Sequence, residues 1–145
     1  MSNLIDRRST TDMAPYTTGL ANAVLREISE LLDRLVTTGE AGSIDLHSLP
    51  MTDGDREQLK EKLGTGEVSV KLDVAGSSTL DETGIAGVWW VRHEGGDGRL
   101  AAEIIEITHV PAILLSHRDD MIAGLNRLDE LLDAPADMDT EDMTG

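Results

Sequence analysis

The chain has 145 residues, 28 acids against 12 bases for a formal charge of −16, four histidines and no cysteine. The length suits one modest core, which aliphatic residues must build because aromatics make up only 2% of the chain. Without cysteine there are no disulfides, no thiolate catalysis and no cysteine-ligated zinc or iron–sulfur cluster, and the acidity disfavours nucleic acid and anionic membranes as partners.

Residues 1–16 are polar and aperiodic, without an apolar signal core, and read as a flexible lead-in to a single domain over 17–134. A cytoplasmic location follows as an expectation. From Thr18 to Val36, Leu20, Val24, Leu25, Ile28, Leu31, Leu32 and Leu35 recur at three and four, the period of an amphipathic helix, and Gly39 stops it. Ser43 to Leu46 is a short edge strand, broken by Leu49-Pro50. Thr52 then caps a second helix with Asp55 at the capping-box position. Lys60 and Lys62 occupy its last turn, and its thin apolar face, chiefly Leu59 and Leu63, suits the rim of a core.

Glu67 to Asp73 alternates as a half-buried strand, with Val68, Val70 and Leu72 on one face. Ser78 to Arg92 reads as one long strand with a bulge or bend at Gly84 and Gly87. Gly95-Gly-Asp-Gly98 is a hairpin turn with Asp97-Gly98 at its centre, and Arg99 to Thr108 returns as the next strand. Ser116 caps a last helix striped by Met121, Ile122, Leu125, Leu128, Leu131 and Leu132, and Pro135 ends it. Residues 135–145 form an acidic tail expected to be disordered. The tail holds −4 of the −16, so the body keeps −12. The fold class is α+β: a small antiparallel sheet, a three-strand meander with a short fourth edge strand, packed with about three helices.

Both tryptophans sit side by side at Trp89 and Trp90. With Asp97 and Gly98 central in the turn, paired residue numbers sum to 195, so Trp90 faces Ile105, Val88 faces Ile107 and Arg92 faces Glu103. These belong to the core face, with Glu103 and Arg92 as a cross-strand ion pair. Adjacent strand residues point to opposite sides, which gives the second face Trp89, Val91 and Ile104, edged by His93 and Glu106. An apolar centre with a polar rim is the pattern of a contact surface, and these five residues are the candidate partner-binding site. Trp89→Ala or Glu106→Lys is expected to weaken that contact and leave the fold intact.

The four histidines His47, His93, His109 and His117 lack the spacing of a helical metal pair. Glu103 and Glu106 lie on opposite faces of one strand, against a shared acid–base role. Nucleophile elbows and phosphate loops are absent. No catalytic, cofactor-binding or metal residues are assigned, and no cofactor is expected.

Four segments in order, Gly42-Ser-Ile-Asp-Leu-His-Ser-Leu-Pro50, Leu63-Gly-Thr-Gly-Glu-Val-Ser69, Gly87-Val-Trp-Trp-Val-Arg-His93 and Glu103-Ile-Ile-Glu-Ile107, resemble the C-terminal conserved region of the HupH/HyaF hydrogenase expression/formation proteins. The resemblance covers roughly residues 20–133. It implies a non-enzymatic chaperone or scaffold for maturation of an uptake [NiFe] hydrogenase, with the iron–sulfur small subunit precursor as client and other maturation accessory proteins as further partners. Longer members carry an additional N-terminal part, whose role does not transfer. Two other classes compete. One is a carboxylate- and histidine-dependent enzyme, which needs Glu106 and His93 to converge although three residue pairs intervene. The other is a structural interaction module, such as a homodimer that buries the Trp89 face.

Overall fold

The computed structural model describes residues 16–73 and 76–133. The expected acidic tail, and the expected lead-in apart from Tyr16, lie outside the described residues. The described chain forms two compact units, one ending at Pro111 and the other beginning at Ala112.

In the first unit, helix α1 spans Leu20–Thr38 and ends at Gly39, whose N–H donates to the Leu35 carbonyl. Strand β1, Gly42–Asp45, leads through a short 3-10 turn, Leu46–Ser48, to helix α2, Asp53–Leu63. The capping box forms as the spacing requires: Thr52 Oγ1 accepts from the Asp55 N–H and Asp55 accepts from the Thr52 N–H, each at 3.0 Å. Four more strands follow: β2 Ser69–Asp73, β3 Ser77–Glu82, β4 Val88–Glu94 and β5 Leu100–Ile107. They make a five-stranded antiparallel sheet in the order β1-β5-β4-β3-β2.

The α+β class holds, and the three-strand meander is corrected to four consecutive strands plus the β1 edge. The expected long strand over Ser78–Arg92 is two strands. Between them Thr83 anchors a tight turn, with its N–H and its Oγ1 both donating to the Val88 carbonyl, while Gly87 adopts φ +88°, a region that side chains avoid. The chain thus reverses, and Glu82 comes to face Trp89.

The β4–β5 register matches the expectation from Val88–Ile107 through His93–Ala102. The turn itself is shifted by one residue. Gly98 N–H donates to the Gly95 carbonyl and Gly95 N–H to that of Arg99, so Gly96 and Asp97 are central and Gly98 follows with φ +79°. A bulge beyond His93 pairs Glu94 with Leu100 and leaves Ala101 extra, which restores the sum of 195 along the rest of the hairpin. The Ala101 carbonyl lies 3.1 Å from Nδ1 of His47, a contact that requires the proton on that nitrogen.

Helices α1 and α2 cover the sheet face that carries Ile44, Val88, Trp90, Ile105 and Ile107, and together they form the main core. Leu59 and Leu63 are buried within that core rather than on its rim.

Asp55 is buried beneath the α1–α2 entrance. Besides the capping box it accepts from Thr18 N–H at 2.7 Å and Thr18 Oγ1 at 2.6 Å. Burial works to raise its pKa, but the hydrogen bonds from Thr18 and Thr52 outweigh it and hold the group at about 2, below the ordinary 3.8. A carboxylate whose folded pKa is depressed adds stability above its unfolded pKa and loses it as pH falls. The stability gap between the wild-type chain and Asp55→Asn is therefore expected to be full above pH 4 and to close towards pH 2. Urea midpoints of both chains across that range check it; a gap that stays constant removes the assignment.

The second unit holds a 3-10 turn, Ala112–Leu114, and helix α3, Arg118–Asp133. Met121 N–H donates to the His117 carbonyl, so the cap position is His117, one residue past the expected Ser116. Its apolar stripe, Met121, Ile122, Leu125, Leu128, Leu131 and Leu132, is 40–80% exposed. No helix among the described residues is long and apolar enough to cross a membrane.

Candidate binding site

Glu103 lies in the middle of β5 on the helix-covered face and is only 2% exposed. Such a carboxylate must be paired. It accepts from Trp90 Nε1–H at 2.9 Å through Oε2 and from Arg56 Nε–H at 2.8 Å through Oε1. Arg92, opposite it on β4, stands 3.7 Å from Oε2, within ion-pair reach but too far for a hydrogen bond. The expected Glu103–Arg92 pair is present, but it is the looser part of a larger cluster. Sequence reading missed Arg56. Its signal was the i, i+4 spacing of Arg56 and Lys60 on α2, which sets both cations on one helix face.

Beside this cluster opens a cavity of about 490 Å³, within the usual size of ligand pockets. Its lining includes Trp90 and Arg92 from β4, Asp81 from β3, Ser69 from β2 and Lys60 from the last turn of α2, with the Gly64-Thr-Gly66 loop beside them. Lys60 Nζ lies 5.4 Å from the centre of the Trp90 ring, a cation–π distance. The loop is held against the sheet by Gly66 N–H donating to the Glu82 carbonyl and Gly84 N–H donating to that of Leu63. A Cβ added at Gly66 would stand 2.6 Å from the Thr83 oxygen, so backbone approach requires glycine there. Segments 63–69 and 87–93 line this space, and Glu103 of segment 103–107 supports it through its bond to Trp90.

The predicted contact residues lie on the other sheet face. Trp89 and Val91 were expected to stand open, and both are buried, Trp89 at 5% exposed. The extra strand reversal adds apolar neighbours on this face: Leu80 faces Val91, and Val70 faces Leu80, so it is a broad apolar layer rather than a narrow stripe. Ile104, His93 and Glu106 are half-buried at the positions expected. Trp89 Nε1 is buried and makes no hydrogen bond among the described residues.

His93 and Glu106 do not converge. Glu106 pairs with Trp89 and His93 with Ala102, four steps apart along β4, or roughly 13 Å at the usual strand rise. His93 Nδ1 instead contacts Ser78 Oγ at 2.6 Å across β3. His109 and His117 are exposed, and His47 serves the Ala101 bulge. Among the described residues no group of three or more acids and histidines is placed to hold a metal ion.

Over residues 20–135 the chain matches the family model described as HupH hydrogenase expression protein, C-terminal conserved region. It is similar to the hydrogenase expression/formation protein HupH of Rhodobacter capsulatus, 31% identical over 130 residues that cover 88% of this chain and 47% of that relative. It is also similar to the Hydrogenase-1 operon protein HyaF of Escherichia coli (strain K12), 29% identical over 61% of this chain and 31% of that one. The structure of hydrogenase expression protein HupH from Thiobacillus denitrificans ATCC 25259 superposes with a TM-score of 0.77 at 45% identity, covering 81% of this chain and 98% of that chain. The chain spans less than half the length of the curated relatives it matches.

Proposed function

Since the chain belongs to the HupH hydrogenase expression protein family through its C-terminal conserved region, we propose that it is a non-catalytic accessory in maturation of an uptake [NiFe] hydrogenase and that it holds the iron–sulfur small subunit precursor. The observation that carries this reading is the family match along nearly the whole described chain, to relatives named as hydrogenase expression/formation proteins. One feature of the chain supports a binding role. The second sheet face keeps an accessible edge at Ile104, His93 and Glu106, and we assign the client contact to this edge rather than to the buried Trp89 ring. Without cysteine, the chain acts by holding the client rather than by ligating a cluster through thiolates.

The test is co-purification of the precursor small subunit with the tagged full chain, with the large subunit as control. The wild-type chain is expected to recover the precursor, and Glu106→Lys, a half-exposed position, to recover several-fold less while its circular dichroism is unchanged. Failure of the wild-type chain to retain the precursor removes the client. Full recovery by a folded Glu106→Lys removes the contact edge only.

A further inference from the structure

We propose that the cavity beside Glu103 is a binding site for a peptide carboxylate carried on an apolar body. The ground is a difference in pairing: the wall holds two acids and two cations, and only the acids carry close hydrogen bonds. The two acids in its wall are already engaged: Asp81 Oδ1 accepts from Ser69 Oγ at 2.5 Å, and Glu82 Oε1 accepts from the Glu67 N–H at 3.2 Å. The two cations are not. Lys60 Nζ has no carboxylate within 4 Å among the described residues and rests over the Trp90 ring. Arg92 reaches only Glu103 Oε2 at 3.7 Å, and that oxygen already accepts from Trp90 while its twin accepts from Arg56. Arg92 Nε is buried without a hydrogen bond.

A guanidinium with spare donors beside a free ammonium matches a carboxylate, which takes two parallel bonds from arginine and a point charge from lysine. The rest of the cavity supplies the remainder of the ligand's needs. Trp90 and Val68 offer apolar contact, and the hydroxyls of Thr65 and Thr79 can meet amide groups. The chain's charge of −16 sets the limit on valence. A polyanion such as a phosphate chain is repelled by the whole surface, whereas a single carboxylate can meet Lys60 and Arg92 at hydrogen-bond distance against the repulsion of Asp81 and Glu82 in the same wall, charges more remote than about 8 Å being screened at physiological salt. This site is separate from the Glu106 edge and does not depend on the identity of the client.

The full chain, labelled with nitrogen-15, is titrated with acetyl-Ala-Val-Leu bearing a free C-terminus, with its C-terminal amide, and with acetyl-Ala-Glu-Leu amide. The Trp90 indole N–H and the amides of Gly64 to Ser69 report the cavity, and the Trp89 indole N–H is the internal reference. Saturable shifts at the cavity with either acid, and none with the plain amide, support the site; the responding acid identifies the source as a chain terminus or a side chain. Lys60→Gln is expected to weaken binding about tenfold, the scale of one charge-assisted hydrogen bond. Lys62→Gln, the same charge change outside the cavity, is expected to stay within about twofold. Equal binding of acid and amide, no saturable shift at millimolar peptide, or an undiminished affinity in Lys60→Gln overturns the proposal.

Discussion

Glu103→Ala is expected to destabilise the fold by about 3–4 kcal/mol, a large part of the 5–15 kcal/mol that holds a typical domain. The carboxylate is almost fully buried, whereas Arg56 and Arg92 are 27% and 40% exposed in their side chains. When the acid is removed, the two arginines can turn towards water, which keeps the loss at the lower end of the range for broken buried pairs. The Trp90 indole N–H cannot do so, and its lost partner, about 1–3 kcal/mol, makes up much of that total. Glu103→Gln keeps the shape and one acceptor oxygen, so about half the loss is expected. Urea unfolding of the three chains at pH 7 checks the order. A loss below about 1 kcal/mol for alanine would show that the cluster is a surface ion pair rather than a buried anchor.

The same cluster shows where sequence reading reaches its limit. Pairing across β4 and β5 was legible because the glycine-rich turn sets the register to within a residue and alternation then puts Val88, Trp90, Ile105 and Ile107 on one face. The capping box was legible because its residues lie three apart. Two turns were not. Glycines at 95, 96 and 98 allow several turn centres, and the bulge at Ala101 absorbs the difference, so a wrong centre still yields the right pairs. The break at residues 83–87 depends on a threonine side chain bonding a carbonyl five residues on, which residue periodicity does not reveal. That break places Leu80, Val70 and Leu72 on the face of Trp89 and Val91, where Leu80 is buried and Val70 and Leu72 are half-buried. Arg56, and the place of Lys60 over the Trp90 ring, escaped notice for a related reason: their partners Glu103 and Trp90 lie 47 and 30 residues away in sequence.

The two tryptophans are neighbours in sequence and equally buried, yet they are expected to answer differently to one conservative change. Trp89→Ala and Trp90→Ala should each cost about 3–5 kcal/mol, as deletion of a large buried ring does. Trp89→Ala is therefore a stability variant, and the expectation that it leaves the fold intact does not survive its burial. Phenylalanine separates the pair. At position 90 it removes the donor to Glu103 and leaves a buried carboxylate oxygen short of one bond, a loss of about 2–3 kcal/mol. At position 89 it removes an indole N–H that has no partner among the described residues, so relief of that unsatisfied donor offsets the smaller apolar area and the net change stays within about 1 kcal/mol. Both substitutions remove the same atoms, so the difference between them isolates the hydrogen bond from the packing. Thermal and urea unfolding of the two variants measure it, and equal losses would mean that the Trp90–Glu103 bond contributes nothing beyond the ring.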